Sequence, residues 1–441
     1  MKSNGNMVNS FDPATAGSLD ARTRELIHRR RRLLGPGYKL FYQRPLEIVR
    51  GDGVHLYDID GRRYLDAYNN VPSIGHCDPT VAEAIARQAL TLNTNTRYLD
   101  EHILAYAERL LDTHANALGS IMFTCTGSEA TDLALRIARH ATGARGVVVT
   151  ANAYHGVTAA AASVSPSLGA NVPLSADVRT VAPPAPSKDA ADAGARFAQR
   201  VTDAIDDLHR HGVGLAAVLM DTLFCSDGLV PDPAGFLQPV VAAAHAAGGL
   251  FIADEVQAGF GRTGAAMWGY QRHGIEPDLA TMGKPMGNGM PIGGVAVRSA
   301  LLERFGTEIR YFNTFGANSV SIAAATAVLD VIERDELLAN ARAIGAQLRT
   351  GVERLAASFA RMRQVRGAGL YVAANLVRGP DDAPDATTAA AVVNRMRERG
   401  VLISAAGPNA NCLKIRPPLP FTTANADELL AVLADVLEEI A

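Results

Sequence analysis

Lysine is scarce in this chain. Lys2, Lys39, Lys188, Lys284 and Lys414 are the five lysines among 42 basic residues, and the other 37 are arginines. A lysine here is therefore a choice rather than a default. Cysteine is scarce too: Cys77, Cys125, Cys225 and Cys412 lie far apart with no C-x-x-C pair. That argues against a zinc site or a disulfide framework and for a reducing, cytoplasmic setting. The histidines form no ligand-spaced cluster, so no metal site is expected. Neither sign of charge dominates, and a net −3 offers no basic field to nucleic acid or an anionic membrane. No apolar run approaches the roughly 18 residues of a membrane span. The opening "MKSNGNMVNSFDPATAGSLD" lacks the apolar core of a signal peptide, and residues 1–20 read as a disordered tail.

What is present is an ordinary globular composition, 48% hydrophobic over 441 residues, enough for a large core and roughly two to three domains. Between about residues 75 and 325, short apolar runs such as "IMFTC", "GVVVT", "LAAVLMD", "LFIAD", "DLATM" and "GGVAV" alternate with helical stretches. Strands that are apolar throughout, separated by helices, predict an α/β domain with a mostly parallel sheet covered on both faces. Residues 46–68 read as a strand and hairpin turning at Asp60-Gly61. Residues 326–441 carry a long helical pattern, then the strand candidates "GLYVAANLV" and "VLISAA", then a terminal helix. Residues 21–74 and 326–441 are expected to combine into a smaller α+β domain. The Pro-, Ala- and Asp-rich stretch 165–195 reads as a surface loop.

In such sheets ligands gather at the carboxyl ends of strands, so the residues just after each strand matter most. After "IMFTC" come Thr126, Gly127 and Ser128, where free amides at a helix start could cradle a phosphate. Equally, Thr126 or Ser128 could simply cap the helix. After "GVVVT" come Tyr154, which could stack on a flat ligand or merely pack in its loop, and His155. After "LFIA" come Asp254 and Glu255. A carboxylate there needs a cation or N–H donors; it could cap the next turn or hold a protonated heterocyclic nitrogen. Lys284 follows the next strand in "TMGKPMGNGMP". A P-loop would need glycine at Asp278 and Ser or Thr at Pro285. The G-x-G-x-x-G pattern fails because Gly293 comes one residue late. Covalent chemistry remains: a desolvated amine loses its proton and condenses with an aldehyde, which a guanidinium cannot do. Phosphate cradle, stacking surface, carboxylate and Schiff-base lysine are together what pyridoxal phosphate requires.

The same residues in the same order resemble the class III aminotransferases, pyridoxal-phosphate enzymes of fold type I, over nearly the whole chain. The segments "ADEVQAGFGRTG" and "TMGKPMGNGMP" carry most of the likeness. The resemblance implies that Lys284 forms the Schiff base and shuttles the substrate proton, while Asp254 pairs with the pyridine nitrogen. It places Val256 and Tyr154 against the two ring faces, Gln257 near the ring hydroxyl, and Gly127 and Ser128 on the phosphate, with His155 in the same cofactor site. Thr314, in "YFNTFGAN", would reach the neighbouring subunit's cofactor, so a homodimer, or a tetramer built from it, is implied. "YNNVPSIGHC", "LNTNTRYL" and "YFNTFGAN" are most similar to the ethanolamine-phosphate phospho-lyases and their relatives near alanine–glyoxylate aminotransferase. The implied reaction is elimination of phosphate from a phosphorylated primary amine, the alternative being transfer of an amino group to a keto acid. Arg416 matches a carboxylate-holding position and could equally hold phosphate, or lie at a strand edge as a surface arginine. "GPGYKLFYQR" could bring Tyr42 or Lys39 into the cleft as a second substrate contact. Three departures from the family pattern stand out: Thr131 for Asn, Asp221-Thr222 for Glu-Pro, and Met290 for a bulkier polar residue.

Overall fold

Runs such as Val147-Val148-Val149 have no polar face, and they form strands buried on both sides, because β-branched side chains suit a pleated surface covered by helices. The computed structural model describes residues 9–184 and 190–440. Three N-terminal strands come first: β1 (Ile48–Asp52), β2 (His55–Asp58) and β3 (Arg63–Asp66). The central sheet follows with β4 (Ser120–Thr124), β5 (Gly146–Thr150), β6 (Val178–Val181) and β7 (Leu215–Asp221). It is completed by β8 (Leu250–Asp254), β9 (Leu279–Met282) and β10 (Gly293–Val297). The spatial order is β4-β10-β9-β8-β7-β5-β6. Only β10 is antiparallel to its neighbours, and the other pairs are parallel. Six carboxyl ends therefore open on one edge, as expected of a mostly parallel seven-stranded sheet.

The C-terminal part adds β11 (Met362–Gly367), β12 (Val372–Arg378), β13 (Ala383–Pro384), β14 (Val401–Leu402), β15 (Ser404–Ala406) and β16 (Cys412–Ile415). The predicted hairpin is present, with Tyr57 opposite Arg63. β14 then joins β3 in parallel, Val401 beside Leu65, so the two ends of the chain share one small sheet. The "VLISAA" run divides between β14 and β15, which belong to different sheets.

Three expectations need correction. Of the supposed tail, residues 1–8 lie outside the described residues, but residues 9–20 are ordered. Phe11 and Leu19 are buried, the Phe11 amide donates to Leu40 O at 2.8 Å, and Asp12 caps a 3-10 turn, Pro13–Ser18. Two apolar anchors in a polar stretch suffice to tie it down. The stretch 165–195 is not all loop, since "VRTV" forms the edge strand β6 beside β5 and a helix starts at Ala190. Alternation in so short an edge strand is hidden by its Pro- and Asp-rich surroundings; residues 185–189 lie outside the described residues. Finally, the boundary at 325/326 falls inside a continuous helix, Ser319–Arg334.

Candidate active site

The apolar strand β8 delivers two successive carboxylates to opposite sides, as the pleat requires. Asp254 faces a cavity, where its Oδ2 lies 2.6 Å from His155 Nδ1 and its Oδ1 accepts from the Val256 amide at 3.0 Å. Glu255 turns away under the following loop. It accepts from Thr222 Oγ1 at 2.7 Å and from the amides of Gly269 and Tyr270 at 2.6 and 2.9 Å. Burial pushes the Glu255 carboxyl up to about 7, so it is a structural clamp for the loop. That loop is anchored by Trp268, which stacks on His114 with centroids 4.1 Å apart.

Asp221 ends the neighbouring strand β7 in register with Asp254 and lines the same cavity. Its two oxygens accept from the Leu223 and Cys225 amides, each at 2.9 Å. Burial, and then the charge of Asp254, raise its pKa above the ordinary carboxylate value.

Lys284 stands one glycine beyond β9. Its backbone φ is +26°, in the strained left-handed half of the map that costs about 1–3 kcal/mol. The turn is held from outside. Met286 N donates to Gly283 O at 2.9 Å, and Asn288 bridges to the Ile74 amide and Gly75 carbonyl at 3.1 and 2.8 Å. Strand end and N-terminal loop together thus aim the lysine. Burial first, and the Arg416 charge second, lower its pKa, which favours the neutral nucleophilic amine. Its Nζ lies 5.9 Å from the centre of the Tyr154 ring.

At the start of the helix Gly127–Thr142, both sequence readings coexist. Thr126 Oγ1 caps the Glu129 amide at 3.1 Å, leaving the first-turn amides of Gly127 and Ser128 without intrahelical acceptors. Glycine is needed here: a Cβ on Gly127 would come 3.0 Å from Val256 Cγ2, and one on Gly283 would come 3.0 Å from the Gly127 amide nitrogen. Thr131, deeper in that helix, is fully buried with its hydroxyl unpartnered. Met290 packs against the core.

Every expected cofactor residue except Thr314 lines one cavity of about 210 Å³. Thr314 is exposed and sits beside Phe315, which is 67% exposed. Arg416 is no surface arginine: at 4% exposure it donates to the Tyr68 carbonyl through Nε (3.3 Å) and Nη2 (2.9 Å), and to Gln257 Oε1 through Nη1. Tyr42 needs correction. It is buried outside the cavity lining, and its hydroxyl donates to Ile403 O at 3.3 Å, so its ring belongs to the core that joins the two chain ends. Lys39 is exposed. Sequence reasoning missed Asp221 as a lining residue, and it missed Lys414 and Tyr371 beside Arg416. Lys414 carried a signal, being one of five lysines and two residues from Arg416 on one strand.

These residues fit pyridoxal phosphate. The cavity supplies a carboxylate oriented by a histidine, an amine of lowered pKa and a glycine-walled pair of free amides. The buried Nε2 of His155 has no partner among the described residues. Residues 41–437 match the family model described as aminotransferase class-III. The chain is 39% identical over 432 residues to an "Alanine--glyoxylate aminotransferase 2-like" protein of Drosophila melanogaster, covering 94% of this chain and 87% of the relative. It is 34% identical to an "Ethanolamine-phosphate phospho-lyase homolog 1" of Caenorhabditis elegans, covering 97% and 96%. A solved phospholyase from Arthrobacter in complex with phosphoethanolamine is 44% identical at a TM-score of 0.91, covering 94% of this chain and all of that one. The protein is a pyridoxal-phosphate-dependent enzyme of fold type I, and the chain belongs to the class-III aminotransferase family.

Proposed function

We propose that this enzyme is a phospho-lyase that eliminates phosphate from a phosphorylated primary amine of the ethanolamine-phosphate type. The observation that carries the reading is Arg416. A guanidinium 4% exposed, bonded among the described residues only to the Tyr68 carbonyl and the Gln257 amide oxygen, is costly unless an anion joins it. It reaches the cavity through Gln257, apart from the Gly127–Ser128 cradle. The Arthrobacter relative binds phosphoethanolamine, which supports the same choice.

When bound, pyridoxal phosphate withdraws electrons from the carbon next to the substrate nitrogen. The chain's residues do the rest. Lys284 would hold the cofactor through its amine and would then take the proton from that carbon. Asp254, steadied by His155, would keep the ring nitrogen protonated. Tyr154 and Val256 would hold the ring faces, and Gly127 and Ser128 the cofactor phosphate. As the substrate C–O bond breaks, its electron pair leaves with the phosphate, which Arg416 receives. The proton taken by Lys284 would return to the carbon that lost the phosphate, and water would then release the aldehyde and ammonia.

The working unit is a homodimer in which Thr314 serves the partner's site. The second reading, a transaminase, is favoured by the family match and by the aminotransferase relatives. Incubating the holoenzyme with ethanolamine phosphate and no keto acid separates the two. Stoichiometric inorganic phosphate and aldehyde are expected; no phosphate, with amino transfer once a keto acid is added, overturns the lyase reading.

A further inference from the structure

We propose that Lys414, Arg416 and the hydroxyl of Tyr371 form a receptor for a phosphomonoester dianion, separate from the cradle for the cofactor's own phosphate. The inference rests on the lyase reading for its substrate, but the pocket is argued from its own geometry.

Lys414 and Arg416 are two residues apart on and just beyond β16, so their side chains leave the same face. Lys414 is flanked in the sheet by the small residues Ala373 and Ser404. Tyr371 immediately precedes β12, the neighbouring strand. Its ring centre lies 5.6 Å from Lys414 Nζ and 5.5 Å from Arg416 Cζ. The Tyr371 residue is 1% exposed, and its hydroxyl meets no oxygen or nitrogen partner among the described residues, only the weakly accepting thiol of Cys225. Beside them the buried Arg262 donates, among the described residues, only to the carbonyls of Leu370 and Pro417.

Three cations thus converge with neutral partners alone. Among the described residues none of the ion pairs found involves Lys414, Arg416 or Arg262. The nearby acids are engaged elsewhere: Asp254 holds His155, and Asp221 accepts the Leu223 and Cys225 amides. Mutual repulsion agrees with this picture. Burial, and then Arg416, hold Arg262 down at about 9 and Lys414 at about 7. The Lys414 amine faces Arg416 on its own strand, and Tyr371, Cys225, Asp221 and Lys284 from the elements packed against it.

Buried charges without counterions call for a ligand that brings the opposite sign. A carboxylate would be satisfied by the arginine fork alone. A phosphomonoester carries roughly −1.5 to −2 charge and three acceptor oxygens, which matches one fork, one ammonium and one hydroxyl whose partner is only a thiol. The Lys414–Tyr371 pair therefore selects phosphorylated over carboxylated amines.

Calorimetric titration of the holoenzyme with inorganic phosphate, with acetate as the monoanion control, tests the pocket. Variants are compared only where they retain the cofactor's absorbance. Lys414→Met is expected to weaken phosphate binding roughly 10- to 100-fold, with Lys414→Arg recovering most of the loss. Tyr371→Phe, which keeps the ring and its packing, is expected to weaken it several-fold. Acetate binding should be weak in the parent enzyme and little altered in the variants. Unchanged phosphate affinity in both Lys414→Met and Tyr371→Phe overturns the proposal, as does acetate binding as tightly as phosphate. Failure of the lyase reading is distinct from this: a phosphate pocket that depends on Lys414, in an enzyme that releases no phosphate from ethanolamine phosphate, refutes only the reaction. Phosphate release with an unaltered KM in Lys414→Met refutes only the pocket.

Discussion

Around Asp254 each carboxylate finds its donors within the chain, whereas around Arg416 the cations find, among the described residues, only neutral partners. Asp254 has His155 and an amide, Asp221 has two amides, and Glu255 has a hydroxyl and two amides. Lys414 has a tyrosine ring, and Arg416 has a carbonyl and a side-chain amide. The first region is built on the central sheet, whose strand ends are fixed by parallel neighbours. The second is assembled from residues near 68, 262, 371 and 414, brought together only when the chain ends fold onto the sheet. A site that holds a resident cofactor can be satisfied in advance. One that must accept and release an anion at every turnover is left with its charge open.

The largest test of that contrast removes the covalent anchor. Lys284→Ala should lower kcat by roughly four orders of magnitude or more, as loss of a nucleophile does, and abolish the borohydride-trappable chromophore, read by absorbance and mass spectrometry. Retention of both would end the account of the first region. Next, Asp254→Asn removes the charge while keeping the shape. A fall in kcat of roughly 100- to 1,000-fold is expected, with weaker cofactor retention on dialysis. A change of less than threefold would mean that the His155–Asp254 pair is merely structural.

The smallest effect distinguishes the second region. In this structure the Lys414 amine is held at about 7, by burial and then by Arg416; a bound dianion would raise it. Binding therefore takes up a proton above pH 7, so the amine's contribution to phosphate affinity falls as pH rises beyond that point, by up to about tenfold per unit. Below pH 7 the amine is already charged and contributes no slope. Lys414→Met should lose this component and keep only phosphate's own titration, measured by calorimetry from pH 6 to 9. Identical slopes in the two proteins would show that the amine does not meet the anion.

The first region was largely legible in the sequence. Six apolar runs gave strands of the central sheet, and the expected cofactor residues other than Thr314 lie at or shortly beyond strand ends, where a short-range pattern suffices to find them. β6 was missed because a four-residue edge strand buries little and leaves no long apolar run. Residues 9–20 were missed because composition averages over Phe11 and Leu19, the two side chains that anchor them. Tyr42 was placed in the cleft on the strength of its neighbourhood in the chain, but its hydroxyl meets Ile403, 361 positions later. Lys414 and Tyr371 were overlooked because neither belongs to a motif.

The sequence by itself determined the α/β alternation, the lysine that can condense with an aldehyde, and the acid and glycines set at successive strand ends. These depend on neighbours a few residues apart and on the chemistry of single side chains. Only the tertiary structure decided which cations lie close together, which hydroxyl faces only a thiol and which carboxylates are already engaged. Burial and counter-charge are properties of surroundings, and those surroundings come from segments hundreds of residues apart.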